Sequence, residues 1–240
     1  MNYKIAVPNN RIYEPLFRNK EIGADYNMDV YEVEEKQLRE AMANNRFDGA
    51  LMSPLGYGMG VKDADYRIVP GPALAALGWS ELASIYFRKG LKTISRVTSP
   101  TPDDFLMIVG RLLLAENFNM APEVIKESGD TKDLLQDADA VMTWEKNFQA
   151  ESLLDITEEW FMTFELPLPL AFWVCREEEA PKNIEKFVNE VKADDLLKRE
   201  DIVYEAKEEE FHRREGSILW EWNEDVEHAL TETIQFLYFH

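Results

Sequence analysis

The stretch Asp155–Arg176, DITEEWFMTFELPLPLAFWVCR, constrains the fold more than any other part of the chain. Its first half sets acids around Trp160 in a helical turn rhythm, and its second half is an apolar run with prolines at Pro167 and Pro169. A run apolar on both faces reads as a strand covered on both sides, and the prolines stop the helix from continuing into it. The expectation is a helix that ends and feeds directly into a buried crossing strand.

A chain of 240 residues holds one large domain or two lobes of roughly 100 residues each. Acids outnumber Lys plus Arg by 46 to 26, and the resulting net charge of -20 opposes phosphate backbones and anionic lipid alike. The expected partners therefore include no nucleic acid and no membrane. The single cysteine, Cys175, lies inside the apolar run, which removes an intramolecular disulfide and a thiolate metal cluster and fits a small buried hydrophobe. Met1 leads straight into the strand-like YKIAV, without the basic and apolar leader of an exported chain. A cytoplasmic location is the expectation.

Tyr3–Val7 reads as a buried strand, followed by a polar loop, PNNR, and then a helix opening at Pro15. Ligands of open α/β sheets bind outside the carboxyl ends of such strands, which makes Asn10 and Arg11 candidate ligand-binding residues. A second strand is expected at Met28–Val33, a helix at Glu34–Asn44 and a third strand ending at Ser53. Gly56, Gly58 and Gly60 lack the lysine and context of a phosphate loop and are read as a loop bordering a ligand cleft. Strands follow at Tyr66–Pro70 and Leu82–Arg88 around a loop at Gly71–Ser80. Another strand is expected at Leu91–Thr98.

Thr101, Pro102, Asp103 and Asp104 read as a helix start, with the threonine hydroxyl as cap. The two acids answer the helix dipole and would repel a phosphate or carboxylate there. The helix from Phe105 is apolar nearly all round and so is expected to be buried. Strands at Glu123–Glu127 and Ala140–Trp144 flank a short helix near Leu134. Helices beginning near Ile184 and capped by Asn223 are expected to cover the first lobe.

The three histidines, His212, His228 and His240, have no metal-binding spacing, and no GxSxG, Walker or GxGxxG motif occurs. No metal and no cofactor is expected. What remains is a cleft of strand-end loops lined by Asn10, Arg11, Ser53, Thr101, Trp144 and Glu145. Arg11 suits a carboxylate held bidentately, Trp144 suits either a flat ring or core packing, and Glu145 is either a general base or a solvated cap.

The 155–176 stretch resembles menaquinone biosynthesis proteins of the futalosine pathway, in which an acidic D-x-x-E-x-W helix precedes a T-G-L-P turn and an apolar strand. FDGALMSPLGYG, YRIVPGPALAALGWSELASIYF, GRLLLAE and ADAVMTW extend the resemblance, in family order, over roughly residues 1 to 176. That family comprises chorismate dehydratase and dihydroxynaphthoate synthase, both cytoplasmic, on the two-lobed fold of type II periplasmic solute-binding proteins. The resemblance implies an α/β chain with a mixed sheet in each lobe, residues 1–90 plus 168–240 forming one lobe and 91–167 the other, with an interlobe cleft for a small-molecule ligand. A homodimer is compatible with it.

The departures fall in the cleft. The dehydratase's S-Y-L-N-T-K-P-L becomes PNNRIYEPL, leaving Asn10 as the counterpart of its substrate-facing Asn, and its S-R-T-S becomes TPDD. The synthase's catalytic His position falls at or near Trp144, and only Glu145 matches the acid that follows. Two readings stand: a carboxylated or aromatic metabolite-binding protein that has lost the catalytic set, or a diverged chorismate dehydratase, a carbon–oxygen lyase with Glu145 as base. Motif loss concentrated in the cleft favours binding.

Overall fold

The computed structural model describes residues 2–61, 64–144, 153–204 and 214–239. In chain order the elements are β1 (Tyr3–Pro8), 3-10 helices at Arg11–Leu16 and Lys20–Tyr26, β2 (Met28–Val33), α1 (Glu35–Ala43), β3 (Gly49–Met52) and α2 (Pro54–Gly60). There follow β4 (Tyr66–Ile68), β5 (Pro72–Gly78), β6 (Ser84–Phe87), β7 (Arg96–Ser99), α3 (Phe105–Phe118), β8 (Glu123–Lys126), α4 (Thr131–Asp137) and β9 (Ala140–Thr143). The last are β10 (Leu153–Asp155), α5 (Ile156–Phe164), β11 (Leu168–Arg176), α6 (Ile184–Glu190), β12 (Arg199–Tyr204), β13 (Arg214–Glu221) and α7 (Glu224–Phe239).

The chain forms two compact units: Met1–Ala75, Leu168–Glu200 and Ile218–His240 make the first; Ala76–Pro167 and Asp201–Ser217 make the second. Residues 76–90, assigned to the first lobe on sequence, belong with the second, because β6 pairs antiparallel with both β9 and β10. Residues 201–217 also belong there, whereas the sequence reading put them in the first lobe.

The fold is mixed α/β with a mixed sheet in each unit, as expected. One sheet runs β12-β13-β5-β11-β3-β1-β2, with β4 pairing β11 besides. In it β1 lies parallel to β2 and β3, while β11 lies antiparallel to β3, pairing Phe172 with Met52 and Cys175 with Gly49. β11 is the crossing strand expected from the apolar run. Leu168, Leu170 and Ala171–Cys175 are all at most 1% exposed, so both faces of the strand are covered. The first unit's core joins Ala6, Leu38, Met42, Ala50 and Met52 to Phe172, Val174 and Leu230. The other sheet runs β10-β6-β9-β7-β8, with β7 parallel to both β8 and β9.

Four local expectations change. Residues 72–78 are strand rather than loop, since PALAALG is buried almost throughout. Gly56, Gly58 and Gly60 lie in α2 rather than in a loop; Ser53 caps that helix, Pro54 opens it, and Cβ atoms at Gly56 and Gly60 would meet Arg39 and Tyr66 at under 3 Å. The segment after Arg11 is two 3-10 helices. β10, β12 and β13 have no counterpart as strands in the sequence reading.

Candidate functional site

In the first unit, the carboxyl ends of the parallel strands β1 and β3 carry Asn10, Arg11 and Ser53. Asn10 caps the first 3-10 helix, its Oδ1 accepting the Ile12 N–H at 3.2 Å. That bond orients the amide, leaving its NH2 group to donate elsewhere. Arg11 is exposed and, among the described residues, has no ion pair. Both line a cavity of about 210 Å3 with Asn9, Glu14, Phe17, Arg18, Lys20 and Glu32. The other two cations are committed: Arg18 forks onto Glu14 at 2.9 and 3.0 Å and reaches Asp195, and Lys20 pairs with Glu32. The guanidinium of Arg11 is thus the cavity's uncompensated charge.

Ser53 lies outside that cavity's lining. It is 3% exposed and donates its hydroxyl proton to Glu35 Oε1 at 2.7 Å, while Glu35 also holds Arg39 Nη1 at 3.1 Å. With its one proton used, Ser53 has only acceptor capacity for any further group. Sequence reasoning missed Glu35 and Arg39, because an i,i+4 acid–base pair on a polar helix reads as a solvated one.

In the second unit, the parallel ends of β7 and β9 carry Thr101 and Trp144. Trp144 is half-buried, and its indole N–H is shared between Thr101 Oγ1 at 3.0 Å and Asp104 Oδ2 at 3.1 Å. Thr101 does not cap α3. The helix begins at Phe105 with Asp104 at the cap position, and the Asp104 carboxylate accepts the indole instead of a backbone N–H of its own helix. The two acceptors fix the plane of the ring, and Asp103 and Asp104 leave this helix start negative. Glu145, the candidate base, lies outside the described residues.

The acid of the D-x-x-E-x-W stretch has a structural task. Asp155 is 1% exposed and caps α5: Oδ1 accepts the Thr157 and Glu158 N–H groups, both at 3.0 Å, and Oδ2 accepts the Glu81 N–H at 2.8 Å. The Thr157 hydroxyl, 2.6 Å from Ser80 Oγ, lies 2.8 Å from both Asp155 Oδ1 and Gly78 O. Burial pushes the Asp155 carboxyl up, against the N–H donors that favour its charged form. Trp160 is fully buried and Cys175 is buried.

Among the described residues, no group of His, Cys, Asp and Glu is placed to hold a metal ion, and no helix is long and apolar enough to cross a membrane.

No curated protein matches the chain in sequence. Among solved structures, protein AF1704 from Archaeoglobus fulgidus is similar at 17% identity and a TM-score of 0.61, covering 78% of this chain and 72% of that one. YhfZ from Shigella flexneri is similar at 18% identity and a TM-score of 0.45, over 80% and 90% of the two chains. The Candida albicans CA3427 gene product, described as having the generic periplasmic binding protein fold, is similar at 12% identity and a TM-score of 0.46, over 74% and 64%. The family model described as menaquinone biosynthesis matches residues 10–235, nearly the whole length, and the chain belongs to that family.

Proposed function

We propose that the protein binds a small metabolite through a carboxylate or comparable anion held by Arg11. The observation that carries this is the Arg11 guanidinium, unpaired among the described residues, beside Asn10 on a cavity of about 210 Å3 at the carboxyl end of β1. Strand ends of this kind are where open α/β sheets take ligands, and a free guanidinium fork matches a carboxylate. The site of action is the cytoplasm, by the resemblance to the cytoplasmic menaquinone enzymes.

Membership of the menaquinone biosynthesis family favours a second reading, a diverged chorismate dehydratase with Glu145 as base. Incubation with chorismate separates the two. Saturable thermal stabilisation without loss of chorismate absorbance, abolished by Arg11→Ala, supports binding alone. Turnover abolished by Glu145→Gln overturns it in favour of the lyase. Neither stabilisation nor turnover across a panel of aromatic and aliphatic carboxylates removes both readings.

A further inference from the structure

A second cavity, of about 470 Å3, lies in the first unit on the opposite face of the same strand. Alternate residues of a strand face opposite sides of a sheet. In β2, Tyr31 and Val33 line the larger cavity, whereas Glu32 between them lines the cavity of Arg11. The two are therefore distinct sites separated by the sheet. The larger volume falls within the roughly 300–1,000 Å3 of small-molecule sites.

Its wall carries one aromatic pair, two cations and one acid, with Val33, Gln37, Ala41 and Asn44 between them. Tyr31 and Phe47 have ring centroids 5.8 Å apart at 52°, with Phe47 also packed against the core of the first unit. Tyr31 is 42% exposed, high for a tyrosine in the middle of a sheet strand. Lys4 and Arg46 both line the cavity, and neither side chain has a partner among the described residues. Glu40 stands on the same wall.

The loop bearing Arg46 and Phe47 is fixed rather than merely nearby. Asn45 turns the chain in the left-handed region at φ 55°, and the Arg46 N–H bonds the Ala41 carbonyl at 2.9 Å. Asp48 then locks the loop to β1 from both sides: its N–H donates to Lys4 O at 2.8 Å, and its Oδ2 accepts the Lys4 N–H at 2.6 Å. Lys4 and Arg46 are thereby carried on backbone joined by two hydrogen bonds.

We infer that this cavity between α1 and the edge strand β2 is a second ligand site, taking a planar aromatic monoanion. The ring rests on Tyr31 and Phe47 and the anion goes to Lys4 and Arg46. In a chain of net charge -20 an adventitious anion gains little from the surface at large, so binding requires a local cationic pair. Glu40 repels a second negative charge, which excludes dianions from the class.

The test is amide-detected NMR titration of the full chain with benzoate, using benzamide and phthalate as controls. Benzoate should move the amides of Tyr31, Val33, Asn44, Arg46 and Phe47, with benzamide and phthalate each at least about tenfold weaker. The double substitution Lys4→Ala and Arg46→Ala should weaken benzoate by at least about tenfold at unchanged thermal stability. Arg11→Ala should leave these shifts untouched, so failure here and failure of the Arg11 site are read separately. Equal binding of benzamide, binding that survives the double substitution, or no shift of these amides up to about 10 mM would each overturn the inference.

Discussion

Replacing Asp155 by alanine should destabilise the protein severely without touching a ligand. The carboxylate is buried at the start of α5 and accepts three backbone N–H groups, from Thr157, Glu158 and Glu81. Loss of a capping side chain costs about 1–2 kcal/mol. The Glu81 N–H, reached across 74 residues of sequence, loses its acceptor as well, which adds about 1–3 kcal/mol. The expected loss is thus about 2–5 kcal/mol, read as a lower urea midpoint by tryptophan fluorescence. Faster hydrogen exchange at the amides of residues 81, 157 and 158 should accompany it. Asp155→Asn keeps one acceptor oxygen and should cost about 1–3 kcal/mol.

The pH dependence has a definite sign. Burial raises the folded Asp155 above its usual 3.8, so the folded state binds more protons than the unfolded state in the window between the two values. The contribution is largest below the unfolded value and is lost as pH rises through the folded one. The stability gap between the wild type and Asp155→Asn should therefore widen as pH falls toward 3.8. An alanine variant within about 0.5 kcal/mol of wild type, the range of ordinary surface substitutions, would refute the capping account.

Gly216→Ala would place a Cβ 2.0 Å from Trp79 O and 2.6 Å from Trp79 N. Because both are backbone atoms, the cost should reach or exceed the roughly 3 kcal/mol of ordinary overpacking, seen as loss of soluble protein or a lowered thermal midpoint. Glu35→Ala removes the carboxylate that holds both the Ser53 hydroxyl and Arg39 Nη1, and should cost about 1–3 kcal/mol by urea unfolding; a neutral result would mean that water already solvates that pair. The Tyr26 phenol, hydrogen-bonded to Glu190, is pushed up to about 12, and Glu190→Gln should bring its ultraviolet titration down toward 10.0.

Legibility in the sequence followed the strength of the local signal. β11 was readable because nothing but a doubly covered strand accommodates PLPLAFWVC, and α7 because Asn223 does cap it, its Oδ1 accepting the Val226 N–H at 3.0 Å. The strand at 72–78 was lost because glycine and proline at its ends suggested a loop, although the covered interior decided the matter. Thr101 was misplaced by one turn. The TPDD stretch offers two plausible caps, and the choice between them rests on Trp144, a residue 43 positions away.

The candidate site divides along the same line. Asn10 and Arg11 could be named from the sequence, since a polar loop after the first buried strand is a local pattern. That Arg11 alone among the cavity's cations has no ion pair with the described residues could not, because Glu14, Asp195 and Glu32 reach Arg18 and Lys20 only once the chain has folded. Ser53 shows the same limit: its hydroxyl proton goes to Glu35, 18 residues earlier, on a helix that looked solvated.

The sequence by itself determined the α/β class, the buried crossing strand and the family, because each rests on side-chain pattern along contiguous chain. Only the tertiary structure decided that residues 76–90 join the second unit, that Asp155 is a cap serving two segments, and that β2 separates two cavities. Those outcomes depend on which strand edges and which polar groups meet across long sequence separations, and periodicity along the chain holds no information about such pairings.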